Sequence, residues 1–327
     1  MQYLSEINFK EEFEQNALPY LTKVKKSGQI PFAVKNNNSI YSQGFYHYDS
    51  YIPDNPKAVI LCSHGLGESS LKQREMIYYF LQNHFIVYAP DHRGHGYSYS
   101  GAGDRMVHIE HFDDYAEDMK ALVDSVIKPN HKDLPLYLYA HSMGGGIGTR
   151  VLEKYPDTFQ RAVLTAPMLG INTGGIPTGI ALFISRIMVF FGKGASFGAG
   201  QHAFDPKAET FENSGSSSSN RFQYYADIKI TDPIYRIGGT SYNWIKESLI
   251  ACRKNTDSKN CAKIKIPVLV CLAQKDAYVS ADAIHTFVNN VPSATLKEYD
   301  CKHEIFNAND DLQRQYVADI LDFFDKQ

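Results

Sequence analysis

From residue 57 onward, short apolar runs alternate with longer segments in which apolar residues recur every three or four positions. Runs that are apolar throughout are typical of strands buried on both faces of a parallel sheet. An earlier segment, Tyr41–Tyr48, alternates apolar and polar residues around Gly44 and predicts an antiparallel strand at the sheet edge. Six buried strands are predicted after it: Ala58–Ser63, Phe85–Pro90, Leu136–Ala140, Ala162–Thr165, Val268–Ala273 and Thr295–Tyr299.

The segments between these strands predict helices on both faces of the sheet. Their expected bounds are Leu71–Asn83, Phe112–Ile127, Met143–Lys154, Ala281–Val291 and Leu312–Asp325. In the last segment, Leu312, Tyr316 and Ile320 follow the helical period, so one face is expected to pack on the sheet. The pattern predicts an α/β fold with a mostly parallel central sheet.

The alternation is interrupted between Thr165 and Val268. A connection of this length without structure of its own is rare in a compact domain, so we expect an inserted, mainly helical cap. The chain then divides into a first core part (1–168), the cap (169–263) and a second core part (264–327).

Two cap segments differ sharply in composition. Residues 176–191 are strongly apolar, with Arg186 as their only charge. They predict either a helix buried against the core or a lid helix that lines an acyl pocket or touches a bilayer, and they are too short to span one. Residues 213–220 (NSGSSSSN) are serine-rich and predict a flexible connection without assignable chemistry.

The most specific chemical signal is Ala140–Gly145 (AHSMGG), which ends a predicted strand and opens a glycine-rich helix. A catalytic serine must present its Oγ on a sharp strand-to-helix turn, and only small residues fit two positions before and after it. Ala140 and Gly144 meet that requirement around Ser142. We therefore predict that Ser142 is a nucleophile rather than a buried turn serine.

A serine nucleophile needs a base and an acid, and in a fold of this kind the acid and then the histidine follow it along the chain. His303 follows the last predicted strand, whereas His285 lies within a predicted helix. Asp276 is the first carboxylate after the preceding strand, and Asp300 is the alternative. The predicted catalytic triad is Ser142, Asp276 and His303.

Two backbone N–H groups are expected to hold the oxyanion of the tetrahedral intermediate. One belongs to Met143, directly after the nucleophile, and the other to Leu66 in the loop after the first buried strand. Gly65 and Gly67 on either side of Leu66 allow the backbone turn that this role requires.

Composition and cysteine spacing narrow the function classes. The 327-residue chain has 43% hydrophobic and 21% charged residues, and its net charge of −3 offers no basic field to nucleic acid. Histidine segments 91–96 and 108–111 lack the helical spacing of a metal motif, so neither metal nor cofactor is expected. Segment 1–26 lacks the apolar core of a secretory signal, which predicts a cytoplasmic location.

The five cysteines are expected to be free thiols. A disulfide between Cys252 and Cys261 stays an open alternative.

These motifs resemble those of the α/β-hydrolase superfamily and, within it, of the lysophospholipase L2 and monoacylglycerol lipase group. The AHS opening and the cap segment Arg236–Ser248 are more similar to the lysophospholipase L2 branch. The resemblance implies the α/β-hydrolase fold with a cap, the triad and both oxyanion donors. It runs from about Gly44 to the end and is carried by HGLGE at 64–68, DHRGHGYS at 91–98, AHSMGG at 140–145, TAPM at 165–168 and HEI at 303–305.

The expected reaction is hydrolysis of the acyl ester of a lysophospholipid or another acyl-ester lipid through an acyl-enzyme. Phe183, Ile187 and Trp244 in the cap are expected to form the acyl-chain path. A monoacylglycerol lipase or general carboxylesterase, a lipid transacylase and a non-catalytic binding module remain alternatives. Peripheral contact of segment 176–191 with the inner face of the membrane stays open, as do headgroup preference and oligomeric state.

Overall fold

The computed structural model describes residues 1–33, 44–99 and 105–326. Within these ranges one sheet contains β1 Lys25–Pro31, β2 Phe45–Tyr51, β3 Ala58–Ser63, β4 Phe85–Pro90, β5 Leu136–His141, β6 Arg161–Thr165, β7 Val268–Ala273 and β8 Ala294–Tyr299. Their order across the sheet is β1-β2-β4-β3-β5-β6-β7-β8. Strands β3 to β8 are mutually parallel, while β2 is antiparallel to β1 and β4.

Helices cover both faces of this sheet. They are α1 Phe9–Glu12, α2 Leu18–Val24, α3 Arg74–Gln82, α4 Asp113–Leu122, α5 Lys128–Asn130, α6 Met143–Lys154, α7 Thr178–Phe190, α8 Ser219–Thr231, α9 Tyr242–Asn255, α10 Ser258–Cys261, α11 Ala281–Asn290 and α12 Asp310–Asp325. One apolar core lies between the sheet and α4, α6 and α11, and the other lies beneath α3, α12 and the N-terminal helices.

The predicted fold class is confirmed. Every residue of β3, β4 and β7 is buried, as expected for strands covered on both faces, and these strands have the predicted bounds. Between β6 and β7 the chain forms helices α7 to α10. The boundaries 168/169 and 263/264 of the predicted parts stay predictions.

The prediction of an edge strand at Tyr41–Tyr48 is wrong in position. Strand β2 lies between β1 and β4, and residues 41–43 of the predicted strand lie outside the described residues. The edge is formed by β1, in which Lys25 and Lys26 are exposed. An edge strand with charged residues is protected from pairing with other chains, but its polar sequence hides it from a hydrophobicity pattern.

The N-terminal helices were not predicted, although their sequence carries a helical signal. Phe9, Phe13, Ala17 and Leu21 recur every four residues and are all buried. The rings of Phe9 and Phe13 pack on Tyr224 of α8, with centroids 5.5 Å and 5.1 Å away. The N-terminal segment therefore supports a helix of the insertion between β6 and β7.

Arg221 fixes α8 to the core. Its side chain is fully buried and donates hydrogen bonds to Glu75 of α3 at 3.0 Å and to Asp310 of α12 at 2.9 Å. It also donates to the backbone carbonyl of Leu4 at 3.2 Å. Because a buried charge is tolerated only with such partners, α8 is held in one place on the core.

Helix α7 has different surroundings. Its side chains Leu182 and Ser185 are buried, while Phe183 and Phe190 are 63% and 84% exposed. The interpretation of segment 176–191 as a helix buried against the core is therefore wrong. Among the helices of the described ranges, none has the length and apolar character needed to cross a membrane.

Candidate active site

Ser142 occupies the turn between β5 and α6, with φ 53° and ψ −118°. Positive φ is unusual for a residue with a side chain and marks a locally strained backbone, as the strand-to-helix turn of a serine nucleophile requires. Gly144 permits the close approach of α6, since a Cβ there would lie 2.5 Å from the carbonyl oxygen of Ser63. The turn therefore exists because glycine follows the serine at this spacing.

The loops after β7 and β8 bring Asp276 and His303 together. His303 Nδ1 lies 2.6 Å from Asp276 Oδ2, and both side chains are largely buried. Asp300, the alternative acid, instead pairs with Lys275 on the surface. Since Nδ1–H is directed at the carboxylate, Nε2 is the ring nitrogen left to accept a proton.

The Asp276 carboxylate is built to stay ionised. Burial acts to raise its pKa, but the hydrogen bond with His303 and two backbone N–H groups outweigh burial and lower it. Those N–H groups belong to Tyr278 and Val279, at 2.7 Å and 3.1 Å from Oδ1. An anionic Asp276 can therefore orient the imidazole of His303 and stabilise its protonated form.

The loop after β3 carries Leu66 into the cavity wall near Ser142. Gly65 N–H donates to Glu68 Oε2 at 2.9 Å, and its carbonyl lies 2.7 Å from Nδ1 of His64. In the part of the chain that the structure describes, the N–H groups of Leu66 and Met143 have no hydrogen-bond partner. Both predicted oxyanion donors are thus available to a ligand.

Three buried histidines support this loop from below. His64 Nε2 accepts from the backbone N–H of His92 at 2.9 Å, and His92 Nε2 lies 2.8 Å from Ser63 Oγ. The rings of His64 and His95 are 5.2 Å apart. Burial lowers the pKa of all three, so the cluster is neutral near pH 7 and its hydrogen bonds fix the loop.

A charged network missed at the level of sequence adjoins His303. Lys72 Nζ lies 2.5 Å from Glu304 Oε1 and 3.5 Å from Glu68 Oε1. Burial would raise the pKa of Glu68, but Lys72, His141 and the Gly65 N–H hold it at about 2. The sequence carried one sign of this network, because the four-residue spacing of Glu68 and Lys72 is typical of an ion pair.

A cavity of about 660 Å³ opens over Ser142 and His303. Its lining includes the apolar side chains Ile184, Trp244 and Leu249. Five charged side chains also line it: Glu68, Lys72, Glu209, Lys229 and Glu304. The combination suits a ligand with an apolar chain and a polar head.

The predicted acyl-path residues are only partly brought together. Trp244 lines the cavity, but Phe183 and Ile187 lie outside the lining and face solvent on α7. Ala181 and Ile184 of the same helix line the cavity instead. The assignment of Phe183 and Ile187 to the acyl path is corrected accordingly, because hydrophobicity alone did not show which face of the helix turns inward.

Cys252 and Cys261 are buried free thiols. The sulfur of Cys252 lies 3.6 Å from the carbonyl oxygen of Met168, and that of Cys261 lies 3.3 Å from the carbonyl oxygen of Asn255. The disulfide that the sequence left open is therefore not formed in this structure.

Comparison with known proteins shows similarity to hydrolases over most of the chain. The model of the serine aminopeptidase, S33 family (Hydrolase_4) matches residues 54–310. Lysophospholipase L2 of Escherichia coli K12 is 28% identical over 83% of this chain and 81% of its own length. Monoacylglycerol lipase of Mycolicibacterium smegmatis is 27% identical over 80% and 86%. A solved carboxyl esterase from Bacillus coagulans aligns with a TM-score of 0.70 at 17% identity, over 92% of this chain and 98% of its own.

The histidine cluster predicts that acid destabilises the fold. Burial lowers the pKa of His95 from 6.5 to about 3, so below about pH 6.5 the unfolded chain binds a proton that the folded chain does not. The free energy of unfolding is therefore highest above that pH and decreases as the pH falls toward 3. We expect His95→Gln to reduce the slope of unfolding free energy against pH by about 1.4 kcal/mol per pH unit between about pH 6 and 4.

This slope is measured by chemical denaturation at a series of pH values. His285 is exposed on α11, so His285→Gln should keep the slope of the unmodified protein. An unchanged slope in His95→Gln would mean that His95 already carries a proton in the folded state.

Proposed function

Because the chain belongs to the serine aminopeptidase, S33 family and is a carboxylic ester hydrolase, we propose that it hydrolyses the acyl ester of a lysophospholipid. The observation that carries the proposal is that the strained serine turn and the His303–Asp276 pair open into one cavity, which is lined by both apolar and charged side chains. Similarity to lysophospholipase L2 over most of the chain supports the substrate class.

The proposed reaction has two steps. Ser142 Oγ attacks the ester carbonyl while His303 Nε2 takes its proton, and the N–H groups of Leu66 and Met143 hold the oxyanion. Collapse breaks the ester C–O bond as His303 returns the proton to the leaving glycerophospho-alcohol. Water then attacks the acyl-enzyme with His303 as base, which releases the fatty acid and restores Ser142.

The triad predicts a steep loss of turnover on substitution. Ser142→Ala and His303→Ala should each lower kcat on a p-nitrophenyl ester by on the order of a millionfold, because these groups act as a unit. Asp276→Asn should cost about ten thousandfold through the wrong imidazole tautomer. Asp300→Asn is the matched control and should keep normal turnover, since Asp300 lies on the surface.

Labelling by a fluorophosphonate probe checks the nucleophile independently of substrate choice. The unmodified protein should bind the probe at Ser142, and Ser142→Ala should not. Losses of only a few-fold, together with absent labelling, would contradict the proposal and restore the non-catalytic module.

The charged side chains that line the cavity support a lysophospholipid over a monoacylglycerol. Lys229 Nζ lies 2.7 Å from Glu209 Oε2, and Lys72 pairs with Glu304. A headgroup with a phosphodiester and an ammonium can meet an opposite charge at either member of such pairs. The uncharged glycerol of a monoacylglycerol has no comparable partner. Monoacylglycerol lipase stays the second candidate, because a relative of that name matches over a similar share of the chain.

Removal of one cavity cation separates the two candidates. Lys229→Met should lower kcat/KM on a zwitterionic lysophospholipid about 10- to 100-fold, the value of a hydrogen bond to a charged group. The kcat/KM on a monoacylglycerol of the same chain length should change less than about threefold, since no charge is lost there. Lys57→Met, at an exposed pair with Asp325, is the control. Equal losses on both lipids would contradict a headgroup contact at Lys229, and unchanged kcat/KM on the lysophospholipid would favour the monoacylglycerol lipase. Fatty acid release should match substrate loss; newly acylated lipid would indicate a transacylase.

We also propose that α7 contacts the lipid surface from which the substrate comes. Residues 169–204 contain no Asp or Glu, and their only charges are Arg186 and Lys193, both exposed. Around them lie the exposed rings of Phe183, Phe190 and Phe191. An apolar surface with cations beside it suits the interface of an anionic membrane.

Vesicle sedimentation tests this contact. Phe183→Ser with Phe190→Ser should weaken binding to phosphatidylglycerol vesicles by on the order of a hundredfold, because each ring contributes about 1.5 kcal/mol or more when buried. Turnover of a water-soluble short ester should stay unchanged. Ile7→Ser is the control, since Ile7 is equally apolar and 77% exposed on another part of the surface. Equal binding by the unmodified protein, the double phenylalanine variant and Ile7→Ser would contradict the contact.

A further inference from the structure

The serine-rich segment 213–218 packs against the loop that carries His303. Ser216 is fully buried, and Gly215 and Ser218 are buried beside it. Ser216 Oγ donates to the carbonyl of Asn307 at 3.0 Å, and the N–H of Ser218 donates to the same carbonyl at 3.0 Å. The expected flexible connection is therefore an ordered part of the site.

Both neighbours of His303 are hydrogen-bonded to this segment. The N–H of Lys302 donates to Ser217 Oγ at 3.0 Å, and the N–H of Glu304 donates to the carbonyl of Gly215 at 2.8 Å. The backbone on the two sides of His303 is thus anchored to one short stretch of the insertion between β6 and β7. The ring of His303 between these two anchors is hydrogen-bonded to Asp276.

The segment also contacts the histidine directly. A Cβ on Gly215 would lie 3.1 Å from Cβ of His303, so the glycine is in close contact with it. Tyr278 Oη donates to the carbonyl of Asn213 at 2.7 Å, and the Tyr278 ring packs edge-on against the imidazole of His303 at 5.1 Å. Backbone, Cβ and ring of the histidine are each limited by the segment or by a group that it holds.

We propose that segment 213–218 is a positioning element for the catalytic histidine, with Ser217 and Gly215 as its positioning residues. The inference rests on the proposed function, in which His303 transfers protons to and from Ser142 and the leaving group. Proton transfer needs donor and acceptor within hydrogen-bond reach, and a displacement of a fraction of an ångström reduces its rate. The insertion therefore completes the catalytic machinery as well as shaping the cavity.

Substitution of Ser217 tests the role of the hydroxyl. Ser217→Ala leaves the N–H of Lys302 without this acceptor and should lower kcat on a soluble p-nitrophenyl ester about two- to tenfold, with little change in KM. The rate of fluorophosphonate labelling at Ser142 should fall in proportion. Ser217→Thr retains the hydroxyl and should restore both rates. Ser219→Ala is the matched control, because Ser219 is exposed at the start of α8.

The split between kcat and KM, together with the unfolding midpoint, separates positioning from general stability. A displaced His303 slows proton transfer, so kcat and the labelling rate should fall while KM and the unfolding midpoint stay near those of the unmodified protein. A purely structural role would lower the unfolding midpoint without this selective loss of kcat. Gly215→Ala is a second variant, expected to cost about tenfold or more in kcat because its Cβ crowds His303.

The outcomes distinguish this inference from the proposed function. If Ser217→Ala and Gly215→Ala match Ser219→Ala in kcat and labelling rate, the positioning role is overturned while the esterase stands. If the unmodified protein neither labels at Ser142 nor loses turnover in Ser142→Ala, the proposed function itself fails. Slower turnover at an unchanged KM and unfolding midpoint, restored by Ser217→Thr, supports the positioning role.

Discussion

The left-handed backbone of Ser142 is the constraint on which the rest of the site depends, because a residue with a side chain keeps this conformation only where its surroundings hold it. Three backbone hydrogen bonds do so. The Ser142 N–H donates to the Thr165 carbonyl at 3.0 Å, while its own carbonyl accepts from Met168 at 2.8 Å and Gly146 at 3.1 Å. Strand β6 and the loop after it thus fix the nucleophile, and the insertion begins directly behind that loop.

Much of the fold was predictable because burial on both faces leaves a strong pattern. Strands β3, β4 and β7 and helix α6 have the bounds that their apolar runs and glycines indicate. Strand β1 was not predictable in this way. It lies at the sheet edge, pairs only with β2 and is mostly exposed, so its sequence carries no apolar pattern. The N-terminal helices show the opposite case: the four-residue spacing of Phe9 and Phe13 was present, but its partner Tyr224 lies far along the chain.

For the candidate site, chain order and strand ends were enough to select His303 and Asp276, because parallel strands bring their carboxyl ends to one edge of the sheet. The charged residues in the cavity lining could not be predicted in this way, since Lys72 and Glu304 lie far apart in sequence and meet only in the fold. Which face of α7 turns outward could not be predicted either. An all-apolar helix gives no periodic signal to say whether Phe183 or Ile184 turns toward the cavity.

The insertion between β6 and β7 combines two kinds of contact that respond differently to the surroundings. Around His303 and α8 it is held by directional hydrogen bonds, among them those of Arg221 and Ser217, which permit one arrangement. Around α7 it presents apolar side chains whose burial is non-directional and is completed only by another apolar phase. A lipid surface could therefore cover or shift α7 without moving the catalytic base. Under the proposed function, this division would let one inserted segment contact a lipid surface through α7 while the surroundings of His303 stay fixed.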